Sequence, residues 1–431
     1  MSFEKKYWNI GPFSWVIIEL LLGSLAMLIA YHLTPASLSS ANYRHLPVAQ
    51  AALAYAAILA VTTHALGLHN NLNLKHRWRI LILSVCSVAL ALTLLTTIVT
   101  FVFYSQIGRI IIVLCAGATV AIGVTFRLVL HRSIQESPVK VRVVGDALLK
   151  AYLLELAQNQ ANCIILLDGQ SADENHDIVV VQDSHLTSKQ VAEEHLRSAD
   201  QGLQVFTVAA FVENYFYQIP IQYISPIWLF SIDFQHLHPY FHSLKRTLDI
   251  IVAGIGLIFC APIVVLAATA IRLESPGSVF YSQIRVGLFQ RPFRIWKLRT
   301  MRIDAEKSGP QWASPGDSRV TWIGRILRKT RIDELPQFWN ILRGDMAFVG
   351  PRPERPEFVD QLAAEIPYYR QRHLVKPGLT GWAQICYPYG ASTQDAWNKL
   401  SYDFYYMKNS TLTLDLQILL QTVGAVSRGA R

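Results

Sequence analysis

Cysteine is scarce in this chain, and what there is has no pattern. The five cysteines (Cys86, Cys115, Cys163, Cys260 and Cys386) show no paired spacing in 431 residues. That excludes a disulfide framework and a zinc site, and all five are expected to be reduced. No DNA- or RNA-binding motif occurs, and the basic residues are spread among apolar spans, so nucleic acid is excluded as a partner. Acid is scarcer than base: 30 Asp and Glu stand against 39 Lys and Arg, a formal charge of +9. That balance suits a protein at a membrane surface, or simply basic loops between membrane spans. The first apolar run has no clear small-residue cleavage site and more runs follow, so no cleavable signal peptide is expected. Charged residues are only 16% of the chain against 52% hydrophobic, and the length predicts two or three domains.

The hydrophobic excess has a place. Four apolar runs, about 15–31, 48–66, 80–104 and 110–130, are near or above the roughly 20 residues that cross a bilayer as a helix. Lys75, Arg77 and Arg79 lie between the second and third runs, and Arg132, Lys140 and Arg142 follow the fourth, whereas the 33–44 loop holds only Arg44. The positive-inside rule then puts both ends of a four-helix transmembrane bundle, residues 1–132, in the cytoplasm. His32, His64 and His69 sit near helix ends and read as interface residues rather than ligands.

Residues 139–210 change character. Strands are predicted at 139–144, 163–167, 178–181 and 203–208, with helices at 148–158 and 189–198, an alternation that argues a small Rossmann-like α/β domain with a parallel sheet. The turn after the first strand, Val144-Gly145-Asp146-Ala147-Leu148-Leu149, has one glycine where a dinucleotide site wants G-x-G-x-x-G. The domain is therefore degenerate, a scaffold or regulatory module without an evident cofactor. Residues 211–243 are rich in aromatics and proline and read as a connector on the membrane or against the bundle, or as an extended linker with apolar anchors. A fifth apolar run, Leu248–Ile271, is interrupted by Pro262 and carries one charge, Asp249. Its length permits a full crossing, while its basic flanks (Lys245, Arg246, Arg272, Arg285) favour ends on one side and a re-entrant helix over about 247–272.

The densest chemistry lies further on. Arg331-Ile332-Asp333-Glu334-Leu335-Pro336-Gln337 precedes Gly344-Asp345-Met346 and Gly350-Pro351-Arg352-Pro353. Neighbours on a helix point about 100° apart, so Asp333 and Glu334 cannot share a face. They can serve one site in two roles, nucleophile and metal ligand or base. Arg325, Arg328, Arg331, Arg343 and Arg352 suit a phosphate-bearing substrate, because guanidinium binds phosphate oxygens bidentately. A surface helix with solvated charges is the alternative. Lys297 and Arg299 alternate with apolar neighbours as on a half-buried strand.

Taken in order, Lys245-Arg246 with Asp249, Pro262, Gln283-x-Arg285-x-Gly287, Lys297-x-Arg299-x-Met301, Asp333-Glu334-Leu335-Pro336-Gln337, Gly344-Asp345-Met346, Gly350-Pro351-Arg352-Pro353 and Lys376-Pro377-Gly378 resemble the bacterial polyprenyl-phosphate sugar-1-phosphate transferases. These are the monotopic phosphoglycosyl transferases. The resemblance covers Lys245 to the C-terminus, making 244–431 the catalytic domain, and the extra N-terminal parts resemble the large members of that superfamily. Tyr387-Pro388-Tyr389-Gly390-Ala391-Ser392 and the ending Gly429-Ala430-Arg431 look like exosortase-associated exopolysaccharide transferases.

The resemblance implies the chemistry. Asp333 would attack the β-phosphate of a UDP-sugar and expel UMP, and undecaprenyl phosphate would take the sugar phosphate from the aspartyl intermediate. Glu334, with Asp333, would hold Mg²⁺ or handle charge; beside that implication, Asp345 reads as a metal ligand or as ordering its turn, and Asp304 as a metal ligand or as part of a solvated loop. Arg328, Arg352, Lys297, Arg299 and Arg285 would bind phosphate, and Gln283, Tyr387, Tyr389 and Asp403 would line the pocket. Smaller members carry an Asn-Gly-Arg-Asn-like run where this chain has 385–390 without arginine, so another residue must replace that charge or the contacts differ. Trp382, Trp397, Tyr405 and Tyr406 read as core or interfacial anchors. The implied setting is the bacterial inner membrane, with the catalytic domain facing the cytoplasm amid membrane lipid. A homodimer follows only by analogy. An ordinary glycosyltransferase releasing UDP, or a non-catalytic scaffold, are the rival readings. The sugar is not legible.

Overall fold

The computed structural model describes residues 12–34, 47–68, 77–102, 107–136, 139–158, 164–167, 177–182, 203–224, 239–303, 305, 317–387, 390 and 392–427. The chain divides into two compact units, Met1–Phe216 and Tyr217–Arg431.

In the first unit the apolar runs become α1 (Pro12–Leu33), α2 (Val48–Ala65), α3 (Arg77–Phe101) and α4 (Arg109–Glu136). Helix α1 packs on α2 and α4, and α3 packs on both α2 and α4. Their shared core uses small side chains (Ala26, Ala30, Ala52, Ala91) around Met27, Tyr55, Leu59 and Leu95. Small residues let apolar helices approach closely. Gly23 shows how closely, since a Cβ there would lie 2.8 Å from Ala56 Cα. Inside this core Glu19 and Arg127 form a buried ion pair that the hydropathy pattern hid.

The same unit holds a four-stranded parallel sheet, β1 (Val139–Val144), β2 (Ile164–Leu167), β3 (Ile178–Val181) and β4 (Gln204–Thr207), in the order β2-β1-β3-β4. Helix α5 (Ala147–Gln158) follows β1. The one-glycine turn between them is filled by side chains. Asp146 caps α5 through Leu149 N–H at 2.7 Å, and Gln182, just past β3, donates to the Asp146 carboxylate at 3.2 Å. A carboxylate thus holds the helix N-terminus that a phosphate would otherwise use. The strand expected to end at Val208 stops at Thr207, and Val208 opens α6 (Val208–Phe216). The connector predicted over 211–243 is therefore helical at both ends, and 225–238 lie outside the described residues, as do Cys163 and the helix expected at 189–198. The other four cysteines are free thiols.

The second unit opens on Tyr217–Ile224, which packs on the unit's own body. Ile219 N–H donates to Ser401 O at 2.9 Å, and Trp382 Nε1 donates to Tyr217 O at 3.0 Å. Helix α7 (Pro239–Glu274) is longer than expected and continues across Pro262, although proline forfeits one backbone hydrogen bond. An antiparallel hairpin follows, β5 (Phe280–Val286) and β6 (Pro292–Leu298). Next come α8 (Trp322–Thr330), a tight turn (Ile332–Glu334), α9 (Gln337–Arg343), and β7 (Ala347–Val349) paired in parallel with β8 (Gly378–Thr380). Between β7 and β8 lie α10 (Pro356–Glu365) and a short 3-10 turn (Tyr369–Leu374); after β8 come α11 (Trp382–Cys386), α12 (Thr393–Asn409) and α13 (Leu412–Ser427). Gly344, with φ +89°, ends α9 in the left-handed region where a Cβ is strained. Gly350 and Gly378 are forced by proximity, since a Cβ on Gly378 would sit 2.1 Å from Gly350 N. Among the described residues, five helices are long and apolar enough to cross a membrane: α1 to α4 and α7.

Candidate active site

The paired carboxylates owe their position to one backbone feature. Arg331, at the end of α8, has φ 59° and ψ 15°, and its N–H closes the helix on Arg328 O and Leu327 O. A non-glycine residue in that region is uncommon and mildly strained. The reversal sends Ile332–Glu334 back as a 3-10 turn, so that Asp333 and Glu334 are both buried, at 7% and 8% exposure. Adjacent residues on a helix would have put one of them outward.

The two acids then meet different neighbours. Glu334 Oε1 accepts from Lys297 Nζ at 2.8 Å and Arg352 Nη2 at 3.1 Å, with Arg331 Nη1 at 3.8 Å. Asp333 Oδ1 is buried and makes no hydrogen bond; nor does the buried Gln337 Nε2, at the start of α9. Burial pushes the Asp333 carboxyl above its ordinary range, against the pull of Lys297 and with the Glu334 charge adding to the rise. Burial would raise Glu334 too, but Lys297, Arg352 and Arg331 outweigh it and hold Glu334 well below the usual carboxylate range. The Lys297 ammonium is lowered by its own burial, an effect that Glu334 opposes. Two neighbouring carboxylates with opposite perturbations suit separate roles.

Each expected residue can now be placed. Lys297 on β6 and Arg352 after β7 join Glu334. Arg328 lies next to the pair, anchored through Nε to Thr300 Oγ1 at 2.9 Å. Arg299 does not join it. Its guanidinium is buried and donates to Pro276 O and Ser275 O, both at 2.8 Å, which ties the end of β6 to the end of α7. Arg285 donates to Pro353 O at 3.0 Å and lies 3.6 Å from Glu354, on the far side of the Pro-Arg-Pro loop. Asp345 takes a hydrogen bond from Asn340 Nδ2 at 3.2 Å and lies 3.5 Å from Arg343, so it orders the turn after α9. Asp403 is buried against Arg372 at 2.7 Å. Tyr387 OH bonds Asp395 and Asn398, both at 3.0 Å, bracing the start of α12. Gln283 faces Ile295 across the hairpin. Asp304 and Tyr389 lie outside the described residues.

Several residues that matter were not read from the sequence. Asn340 is fully buried and bridges Arg294 O, Trp296 N and Asp345, which locks β6 to α9 behind the carboxylates. Asp415 on α13 pairs with Lys245 and takes a hydrogen bond from Tyr406 OH at 2.7 Å. Arg246, read in sequence as a basic flank and motif residue, has a contact that the sequence did not show: it caps the C-terminal end of α9 by donating to Ile341 O and Leu342 O at 2.5 and 2.6 Å, where the helix dipole favours a cation. Long-range partners of this kind leave no local signal; only the lone buried-type Asn in Phe-Trp-Asn-Ile hinted at one.

Among the described residues no group of three or more His, Cys, Asp or Glu clusters as a metal cage. Magnesium does not require one, since it commonly binds through one or two carboxylates with substrate phosphates and water completing the shell. The unpartnered Asp333 Oδ1 fits that habit.

Residues 240–429 match the family model described as bacterial sugar transferase. The chain is 44% identical to a UDP-N-acetylgalactosamine-undecaprenyl-phosphate N-acetylgalactosaminephosphotransferase of Aeromonas hydrophila, over 48% of this chain and 52% of that protein. It is 44% identical to a UDP-glucose:undecaprenyl-phosphate glucose-1-phosphate transferase of Caulobacter vibrioides, over 42% of this chain and 68% of that protein. An Escherichia coli protein of the same description is 38% identical over 43% of this chain and 41% of its own length. The matched stretch thus spans about half the length of the Aeromonas relative.

Proposed function

Since the chain belongs to the bacterial sugar transferase family, we propose that it transfers a hexose-1-phosphate from a UDP-sugar to undecaprenyl phosphate and so initiates an exopolysaccharide. The observation that carries this reading is the pair itself: Asp333 buried with one oxygen unpartnered, beside a Glu334 whose charge three cations compensate. Relatives named for UDP-sugars and undecaprenyl phosphate support the substrate classes.

The reaction runs in two displacements. An Asp333 carboxylate oxygen bonds to the β-phosphorus, and the bond from that phosphorus to the oxygen bridging the α-phosphate breaks, releasing UMP. A phosphate oxygen of undecaprenyl phosphate then attacks the same phosphorus. The bond to Asp333 breaks, the carboxylate returns, and a diphosphate-linked lipid leaves. A carboxylate is a competent nucleophile that splits one hard step into two. It must first approach a polyanion, which Lys297, Arg352, Arg331 and Arg328 make tolerable by surrounding the pair with positive charge. Desolvation sharpens the nucleophile, because a carboxyl lifted in pKa by burial is a stronger base once ionised. Bound Mg²⁺, held by Asp333 with Glu334 beside it, would neutralise the diphosphate and stabilise the leaving UMP. Tyr387–Ser392, which lacks the arginine of smaller relatives, shapes the nucleotide-sugar pocket in this reading.

The setting is the cytoplasmic face of the inner membrane, with the four apolar helices as a transmembrane bundle, the parallel-sheet domain as a degenerate Rossmann-like module, and α7 as a re-entrant helix. Contacts of α7 support the last point. Lys245 and Arg246 at its start touch Asp415, Ile341 and Leu342, while Ala267 and Ile271 near its end pack with Leu298 and Leu327. Both ends therefore rest on the catalytic unit, while Ile258, Phe259, Val265 and Leu266 between them are exposed. A bilayer that covers that middle keeps both ends on one side. Trp322, Ile326 and Trp339 are exposed apolar groups on α8 and α9 suited to the interface.

The test is nucleotide release by the purified protein with undecaprenyl phosphate, Mg²⁺ and a panel of UDP-sugars, beside Asp333→Asn. UMP release with one sugar, absent in the variant, is expected and names the donor. UDP release would replace this reading with an ordinary glycosyltransferase.

A further inference from the structure

The loop that carries Arg352 is held by its backbone to an unusual degree. Four consecutive carbonyls, from 351 to 354, each accept a hydrogen bond from outside the loop: one from the start of β8, one from the Tyr369–Leu374 turn and two from the end of β5. Pro351 O accepts from Gly378 N–H at 2.9 Å, and Arg352 O from Arg372 Nη2 at 3.2 Å. Pro353 O accepts from Arg285 Nη1 at 3.0 Å, and Glu354 O from Val286 N–H at 2.9 Å. Just before them, Gly350 N–H donates to Thr380 O at 2.9 Å. A loop has no ladder of its own, so ordering it costs backbone entropy that these bonds must repay. Prolines at 351 and 353 lower that cost by fixing φ on either side of Arg352.

Two of the four donors are arginine side chains, Arg285, expected to bind phosphate, and Arg372. Arg372 is nearly fully buried, and its other bonds go to Asp403 at 2.7 Å and Tyr369 OH at 2.8 Å. Asp403 cancels its charge and fixes its plane, which leaves Nη2 aimed at the Arg352 carbonyl. Arg285 sits one carbonyl further, with Glu354 as its counter-ion at 3.6 Å. Neither guanidinium belongs to the cation group around Glu334.

We propose that Arg372, oriented by Asp403, and Arg285 are positioning residues: they clamp successive carbonyls of the Pro-Arg-Pro loop so that the Arg352 guanidinium is held at Glu334 before substrate arrives. This rests on the phosphate-transfer reading of the site for its kinetic consequence, and on the hydrogen-bond pattern alone for its structural one. An unclamped loop would let Arg352 drift, and a displacement of about 1 Å at a reacting centre costs on the order of 10²-fold in rate.

The experiment separates the two. UMP release is measured, as kcat and KM, in the unmodified protein, Arg352→Ala, Arg285→Met and the Arg285→Met/Arg352→Ala double variant. The expected result is a fall in kcat of about 10- to 100-fold for Arg285→Met with KM for the UDP-sugar changed far less. In the Arg352→Ala background the same change is expected to cost less than about 2-fold, because the clamp acts through a side chain already removed. Equal losses in both backgrounds, or a loss confined to KM, would make Arg285 a substrate contact or a general stabiliser and overturn the proposal. The Arg372 arm uses Arg372→Met with Asp403→Leu, which removes both charges together and leaves neither buried alone. Amide hydrogen exchange at Arg352, Glu354 and Arg355 is expected to quicken about 10-fold or more in this variant, with α9, which carries neither substitution, unchanged. Unchanged exchange in the loop would overturn the clamp. This arm needs no turnover, so absence of UMP release in the unmodified protein would sink the proposed reaction and leave exchange to decide the clamp.

Discussion

Replacing Asp333 by Asn should give an enzyme that is dead and more stable. The Asp333 carboxylate is 7% exposed, with Oδ1 making no hydrogen bond. Burial raises its pKa, and Glu334 adds to the rise, so the charged form is disfavoured in the folded state despite Lys297. A buried acceptor left unpaired costs about 1–3 kcal/mol, and more when ionised. The neutral isostere removes the ionic part, an expected gain on the order of 1–2 kcal/mol at neutral pH. For a unit the size of Tyr217–Arg431 each 1 kcal/mol is worth about 2–4 °C in melting temperature. The pH dependence follows from a folded-state pKa above the unfolded one. That group's contribution is fully present below the unfolded value, near 3.9, and is lost as pH rises through the raised native value. The stability gap between variant and unmodified protein should therefore be absent near pH 4 and open as pH rises. The assay is a thermal melt in detergent across that range, beside UMP release at neutral pH, where loss of a nucleophile should cost on the order of 10³–10⁶-fold. If Asp333→Asn melts at or below the unmodified protein at pH 7, Lys297 more than compensates the buried charge, and the picture of a desolvated nucleophile is wrong.

Three further outcomes are expected. Lys245→Met strands Asp415 on α13 and should cost about 3–5 kcal/mol by denaturant melt, while Lys245→Met with Asp415→Leu should recover most of it; a double variant as unstable as the single would remove the ion pair from the account. Single cysteines at Ser243 and Ser278, just outside the apolar part of α7, should both react with an impermeant maleimide in inverted vesicles and neither in intact spheroplasts, given a background without reactive native thiols. Labelling from opposite sides would mean that α7 crosses the membrane. Exchanging Tyr387–Ser392 for the run of a smaller relative should change which UDP-sugar supports UMP release, and an unchanged preference would separate that run from the pocket.

The sequence was most legible where local chemistry repeats or crowds. Long apolar runs had to be helices, because length and hydropathy decide what a bilayer-compatible segment can do. The alternation of short apolar runs fixed a parallel sheet, and all four strands pair as parallel neighbours. Boundaries were less legible: α6 begins where a strand was expected to end, since Val208 suits both states and packing chose. Asp333, Glu334, Lys297 and Arg352 could be gathered because they sit in dense ordered motifs, and three of them touch.

Arg299 and Arg285 show what motif reading cannot do. Both look like phosphate ligands in sequence; in the structure Arg299 donates to two carbonyls, and Arg285 donates through Nη1 to one with Glu354 beside it. A guanidinium has the same five donors wherever it stands, so its role is set by which acceptors the fold brings near. Composition and motif by themselves determined the apolar spans, the parallel sheet and which two acids stand side by side. Tertiary structure decided the rest: that the left-handed Arg331 turns both acids inward, that three cations gather on Glu334 and leave Asp333 Oδ1 bare, and that Arg372, Asn340 and Asp415 serve as braces. Such roles depend on distances between residues tens of positions apart, and burial then makes each contact cost or stabilise far more than it would in water.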